Sequence, residues 1–132
     1  MLNSNASKAT ILVADDNVMN RELLTDILIG EGYKVVCAED GDEALLAISS
    51  RSIDLALLDV MMPGMNGVEL AGRIEATNPD ILIILMTGSG PKEIAPVVGD
   101  KSPHRIIWKP FQAASLRQMI ENVLSNSAKP AV

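Results

Sequence analysis

The stretch Ile53-Asp54-Leu55-Ala56-Leu57-Leu58-Asp59-Val60-Met61-Met62-Pro63-Gly64-Met65-Asn66-Gly67 decides how the rest of this 132-residue chain is read. From Ile53 to Leu58 it is an apolar run interrupted only by Asp54, and from Leu55 on it does not alternate with polar residues. A strand covered on one face alternates, whereas a short continuous run marks a strand buried on both faces. The run stops at a single acid, Asp59, and gives way to Pro63, Gly64, Asn66 and Gly67, residue types that end strands and build turns.

Four more apolar runs lie on either side: Thr10 to Ala14, Lys34 to Ala38, Ile81 to Met86 and Ile106 to Trp108. Ile11-Leu12-Val13 and Ile81 to Leu85 are continuous, as in central strands, while the weaker second run suits an edge. Helix-like segments alternate with them. Leu23, Leu24, Ile27 and Leu28 recur at helical spacing before Gly30 and Gly32; Ala44, Leu45, Ala47 and Ile48 mark a second helix. Val68, Leu70, Ala71 and Ile74 mark a third, ending before Asn78-Pro79, and Leu116, Met119, Ile120, Val123 and Leu124 mark the last. From Gly88 to Pro103, Gly90, Pro91, Pro96, Gly99 and Pro103 punctuate the chain so often that irregular structure with at most a short helix is expected. Strands alternating with helices predict an α/β fold with a parallel sheet. One domain is expected over 10–125, with solvated tails at 1–9 and 126–132.

Composition narrows the function. Hydrophobic residues make up 48% of the chain, yet Tyr33, Trp108 and Phe111 are its only aromatics, so the interior is aliphatic and Met-rich. A net charge of -6 and the lack of a basic face argue against a direct nucleic-acid partner. The one cysteine, Cys37, excludes an internal disulfide and, within an apolar run, is expected to be a buried small hydrophobe. No window has the apolar length of a membrane span, and Met1 to Ala9 lacks the apolar core of a secretory signal; a cytoplasmic protein with no membrane contact is expected.

In an open parallel sheet, ligands gather at the carboxyl ends of the strands. Those ends carry Asp15-Asp16, Asp59, Thr87 and Lys109. Singly, Asp16 or Asn17 reads more economically as a helix cap, Asp59 as a turn opener and Lys109 as a surface charge. Together, three carboxylates, a hydroxyl and an ammonium on one edge call for chemistry. Carboxylates about 4 Å apart repel by roughly 4 kcal/mol at an effective dielectric near 20, so the cluster needs a cation. Mg²⁺, a hard ion with oxygen ligands, matches best. His104 and Cys37 belong to other segments, which disfavours zinc, and no calcium-loop spacing is present. A carboxylate beside such an ion can attack phosphorus. Asp59, on the middle strand, is the best-placed attacker; Thr87 can donate its hydroxyl, and Lys109 supplies a compact positive charge.

The segments Ile11-Leu12-Val13-Ala14-Asp15-Asp16-Asn17, Leu57 to Gly67, Met86-Thr87-Gly88 and Lys109-Pro110-Phe111, in this order, resemble the receiver domains of two-component response regulators over roughly Thr10 to Leu124. The resemblance implies a flavodoxin-like (βα)₅ three-layer sandwich with strand order 2-1-3-4-5. It implies that Asp59 is the phosphoacceptor, that Asp16 and Asp59 ligate Mg²⁺ directly with Asp15 acting through water, and that the Met61 carbonyl completes the set. It gives Thr87 as the switch hydroxyl, Lys109 as the phosphate-binding lysine and a cis bond before Pro110. The implied function is a phosphorelay switch, not an enzyme in the metabolic sense, which takes its phosphoryl group from a histidine kinase or phosphotransfer protein. A downstream protein target would read its conformation. Asp15-Asp16-Asn17 followed by Asn20-Arg21-Glu22 is similar to receivers attached to hybrid histidine kinases.

Two features depart from the family pattern. Ile106 stands where the family usually has an aromatic switch residue, with Trp108 beside the lysine instead, and the Gly88–Pro103 stretch replaces a regular fourth helix. Three alternatives are weighed against the switch. An aspartyl-phosphate phosphatase would place a second acid where Met61 stands, and a flavin protein would need more aromatic residues. A degenerate receiver acting as a phosphorylation-independent interaction module would keep the fold without the chemistry.

Overall fold

The structure, a computed structural model, describes residues 8–88 and 105–128. Five strands, β1 (Thr10–Ala14), β2 (Lys34–Ala38), β3 (Leu55–Asp59), β4 (Leu82–Thr87) and β5 (Arg105–Trp108), form one parallel sheet in the order β2-β1-β3-β4-β5. Four helices are described: α1 (Val18–Gly30), α2 (Gly41–Ser50), α3 (Gly67–Thr77) and α4 (Ala113–Ala128). The expected irregular stretch after Gly88 lies outside the described residues.

Strand parity sorts the core into two layers. Ile11 and Val13, Leu55 and Leu57, and Ile84 and Met86 pack with Leu24 and Leu28 of α1 and Leu116 and Ile120 of α4. Their neighbours Leu12 and Ala14, Ala56 and Leu58, and Ile83 and Leu85 pack with Ala44 and Ile48 of α2 and Leu70 and Ile74 of α3. Because β1, β3 and β4 are covered on both faces, their runs read as continuous rather than alternating. The three-layer sandwich and its strand order agree with the sequence reading.

Side-chain oxygens fix three helix starts. Asn17 accepts from the Asn20 N–H at 2.9 Å, Asp40 from Glu43 at 2.8 Å and Asn66 from Glu69 at 2.8 Å. Each satisfies one of the N–H groups that a first helical turn leaves without an internal partner.

Several boundaries move. β3 starts at Leu55, not Ile53, and includes Asp59; β4 includes Thr87; β5 starts at Arg105. The last helix runs to Ala128, beyond the expected domain end at 125. Leu23, although at helical spacing with its buried neighbours, is exposed. Cys37 is a correction: it is exposed, not buried, because β2 is an edge strand and the residue lies beside Thr25 of α1, whose hydroxyl is 3.3 Å from its sulfur.

Candidate phosphoacceptor site

Sheet register brings the charged groups together. Ala14 pairs with Leu58, Asp59 with Met86 and Thr87 with Trp108, so Asp15, Asp59, Thr87 and Lys109 emerge at one edge. The Lys109 N–H donates to the Thr87 carbonyl at 2.7 Å, carrying the ladder one residue past β5. The Lys109–Pro110 bond is cis.

Asp15, Asp16 and Asp59 each present a carboxylate oxygen, all within 4.8 Å of one another. Asp15 and Asp59 are buried and Asp16 is exposed, so the cluster opens to solvent on the Asp16 side. Lys109 reaches in from β5, with its ammonium 3.1 Å from Asp15 Oδ2 and 3.5 Å from Asp59 Oδ2. One ammonium against three carboxylates leaves a deficit of positive charge, and an oxygen-donor cluster of this kind can hold a metal ion.

Asp59 feels the deficit. Burial pushes its carboxyl up from 3.8 to about 6. The Lys109 charge works against that rise, Asp15 adds to it, and hydrogen bonds from the Met61 N–H, at 3.3 Å, and from Lys109 lower it. The group is thus ionised at neutral pH without being strongly stabilised as an anion, a useful state for a nucleophile.

Asp15 is held differently. Its Oδ1 accepts from the Asn17 N–H at 2.9 Å, and its Oδ2 from the Asn20 amide at 3.4 Å as well as from Lys109. The Arg21 guanidinium donates to its backbone carbonyl at 2.7 Å. Sequence reasoning did not find this cradle. Asn17 was legible as a cap, but Asn20 and Arg21 stood out only through a resemblance.

Gly67, read from sequence as a turn residue, is the first residue of α3. A Cβ there would lie 2.4 Å from the Asp59 carbonyl oxygen and 2.9 Å from Val60 Cα, so only glycine lets α3 start against the end of β3. Thr87 is buried at the end of β4. Ile106 is half-buried and packs on the α2/α3 side of the sheet, whereas Trp108 is 41% exposed. Met61 is also exposed, and the backbone N–H that it gives to Asp59 was not anticipated.

A family model described as the response regulator receiver domain matches residues 11–121. This chain belongs to the response regulator receiver family. It is 33% identical over 117 residues to a cyclic di-GMP phosphodiesterase of Thermotoga maritima, a match covering 89% of this chain and 31% of that protein. It is 32% identical over 125 residues to the DNA-binding transcriptional regulator NtrC of Azospirillum brasilense, covering 95% of this chain and 26% of the relative. The receiver thus spans about a quarter to a third of these relatives. Its fold superposes on the response regulator TrrA of Thermotoga maritima, solved in complex with Mg²⁺ and BeF, with a TM-score of 0.78, 35% identity and coverage of 87% of this chain and 98% of that one. Among the described residues no helix is long and apolar enough to cross a membrane.

Proposed function

We propose that this receiver accepts a phosphoryl group on Asp59 from a phosphohistidine of a histidine kinase or phosphotransfer protein. The observation that carries the reading is the placement of the Asp59 carboxylate within 4.8 Å of two others and 3.5 Å from an ammonium. In the transfer, an Asp59 carboxylate oxygen bonds to phosphorus while the donor's P–N bond breaks and its electron pair returns to the imidazole nitrogen. Lys109 offsets charge on the transferred oxygens, and the Thr87 hydroxyl donates to one of them.

The donor set fits Mg²⁺. Three carboxylate oxygens within 4.8 Å of one another are the donor type that a hard divalent cation takes, and the exposed Asp16 gives a path from solvent. Asp15, Asp16, Asp59 and the Met61 carbonyl would hold it. When bound, Mg²⁺ supplies positive charge to the phosphoryl oxygens and relieves repulsion among the carboxylates. The intact acceptor set disfavours the phosphorylation-independent module.

The added phosphoryl charge lies at the ends of β3, β4 and β5, and it biases Thr87, with Ile106 and Trp108 nearby, toward a second arrangement that a protein target reads. The acidic net charge favours a protein target over direct nucleic-acid contact by this domain. The receiver is consumed stoichiometrically in the transfer and turns over only by losing its own acyl phosphate.

Incubation with Mg²⁺ and a small phosphodonor, read by intact mass, tests this. One phosphoryl adduct is expected on the wild type and none on Asp59→Asn or without Mg²⁺. An adduct that persists on Asp59→Asn, or none on the wild type, rules the assignment out.

A further inference from the structure

Lys109 is shared between two carboxylates and lies nearer to Asp15, at 3.1 Å, than to Asp59, at 3.5 Å. Once it also serves phosphoryl oxygens on Asp59, its three N–H groups are divided among more acceptors and its share in Asp15 falls. Asp15 is fully buried, and a buried carboxylate stripped of a partner carries a large desolvation penalty. The Asn17 N–H keeps Oδ1, and a second donor to Oδ2 would limit the penalty.

Asn20 is placed to be that donor. Its amide Nδ2 is 3.4 Å from Asp15 Oδ2, the same oxygen that Lys109 holds, which is long for a hydrogen bond and leaves room to shorten. Asn20 belongs to the first turn of α1, anchored by the Asn17 cap at 2.9 Å and by the Arg21 bond to the Asp15 carbonyl. Asn20 and Lys109 also line one cavity of about 360 Å³, together with Leu23, Leu24 and Phe111, so the two side chains border the same open space.

We propose that Asn20 is a positioning residue for phosphoryl transfer: its amide takes over the Asp15 carboxylate as the Lys109 ammonium is drawn to the phosphoryl oxygens on Asp59. This rests on the phosphoacceptor reading and adds a residue to it. Asn20 touches neither the phosphoryl group nor Asp59; it acts by releasing Lys109.

The test uses beryllofluoride as a phosphoryl mimic, with calorimetric titration of wild type, Asn20→Leu and Asn20→Ala. Leu matches the amide in shape and Ala is the best helix former, so at least one variant keeps α1 intact, as thermal melts will show. With saturating Mg²⁺, beryllofluoride affinity is expected to fall about 10-fold in both variants, the effect of losing one hydrogen bond to a buried charge. Mg²⁺ affinity without the mimic stays at the wild-type value, because Lys109 has not yet left Asp15. Wild-type beryllofluoride affinity in the variants overturns the proposal, and so does an equal loss of Mg²⁺ affinity, which marks a general loosening of the site. Failure of the wild type itself to bind the mimic counts against the phosphoacceptor reading instead.

Discussion

Burial raises the Asp59 carboxyl from 3.8 to about 6, against the pull of Lys109, and this has a consequence for stability that is separate from phosphorylation. Between those two values the folded chain holds a proton that the unfolded chain releases. The favourable effect of that proton is therefore complete below about pH 4 and lost as pH rises through 6, leaving the metal-free protein destabilised by about 1–3 kcal/mol at neutral pH. Asp59→Asn removes the buried charge. In EDTA it should resist urea better than the wild type at pH 7.5 and lose that advantage at pH 4; a variant less stable than the wild type at pH 7.5 contradicts the account. Asp15, Asp59 and Lys109 were legible as a group because each closes an apolar run, and the common fate of strand ends in a parallel sheet is a rule of topology. The roles of Asn20 and Arg21 were not, because bonds from a first helical turn back to Asp15 depend on the path of the intervening loop. Cys37 was misread for a related reason: an apolar strand at an edge still turns some residues outward.

The junction between β3 and α3 shows what an element needs beyond its own propensities. Gly67 opens α3 directly against the Asp59 and Val60 backbone, and an added Cβ meets backbone atoms that have no room to yield. Gly72, in the middle of the same helix, has nothing within 4 Å of the corresponding position. The two alanine substitutions should therefore have opposite signs. Gly67→Ala is expected to cost about 1–3 kcal/mol by overpacking and to weaken Mg²⁺ binding, since the added Cβ presses on the backbone of Asp59 itself. Gly72→Ala should gain roughly 0.5–1 kcal/mol from helix propensity and leave Mg²⁺ binding alone. Denaturant midpoints and Mg²⁺ titrations on both proteins check this, and equal signs for the pair rule it out. The helix and its buried face were readable from Val68, Leu70, Ala71 and Ile74, because 3.6-residue spacing is local; its start was not, since Asn66 read as a turn residue and its capping role appears only in the fold. Close approach between two backbones is not local, and one glycine looks like another until the fold is known.

At the scale of the whole receiver, a net charge of -6 and a cluster of three carboxylates make two different demands on cations, and they can be separated. Any salt screens dispersed surface charge, within a Debye length of about 8 Å at physiological ionic strength. The clustered oxygens of Asp15, Asp16 and Asp59 can hold a ligated ion, and on the proposed reading they select for one. At a concentration ten times its dissociation constant, a ligand bound only by the folded state adds about 1.4 kcal/mol, and for a chain of this size that raises Tm by about 4 °C. Mg²⁺ should produce this rise over a NaCl control of equal ionic strength, and the rise should disappear in Asp16→Ala, whose exposed carboxylate can be removed without opening the core. Metal binding also needs Asp59 ionised. The stabilisation by Mg²⁺ is accordingly expected to shrink as pH falls through about 6, where the proton competes for the same oxygens. Equal effects of Mg²⁺ and NaCl, or a Mg²⁺ effect unchanged in Asp16→Ala, would show that the acidic edge responds to ionic strength alone.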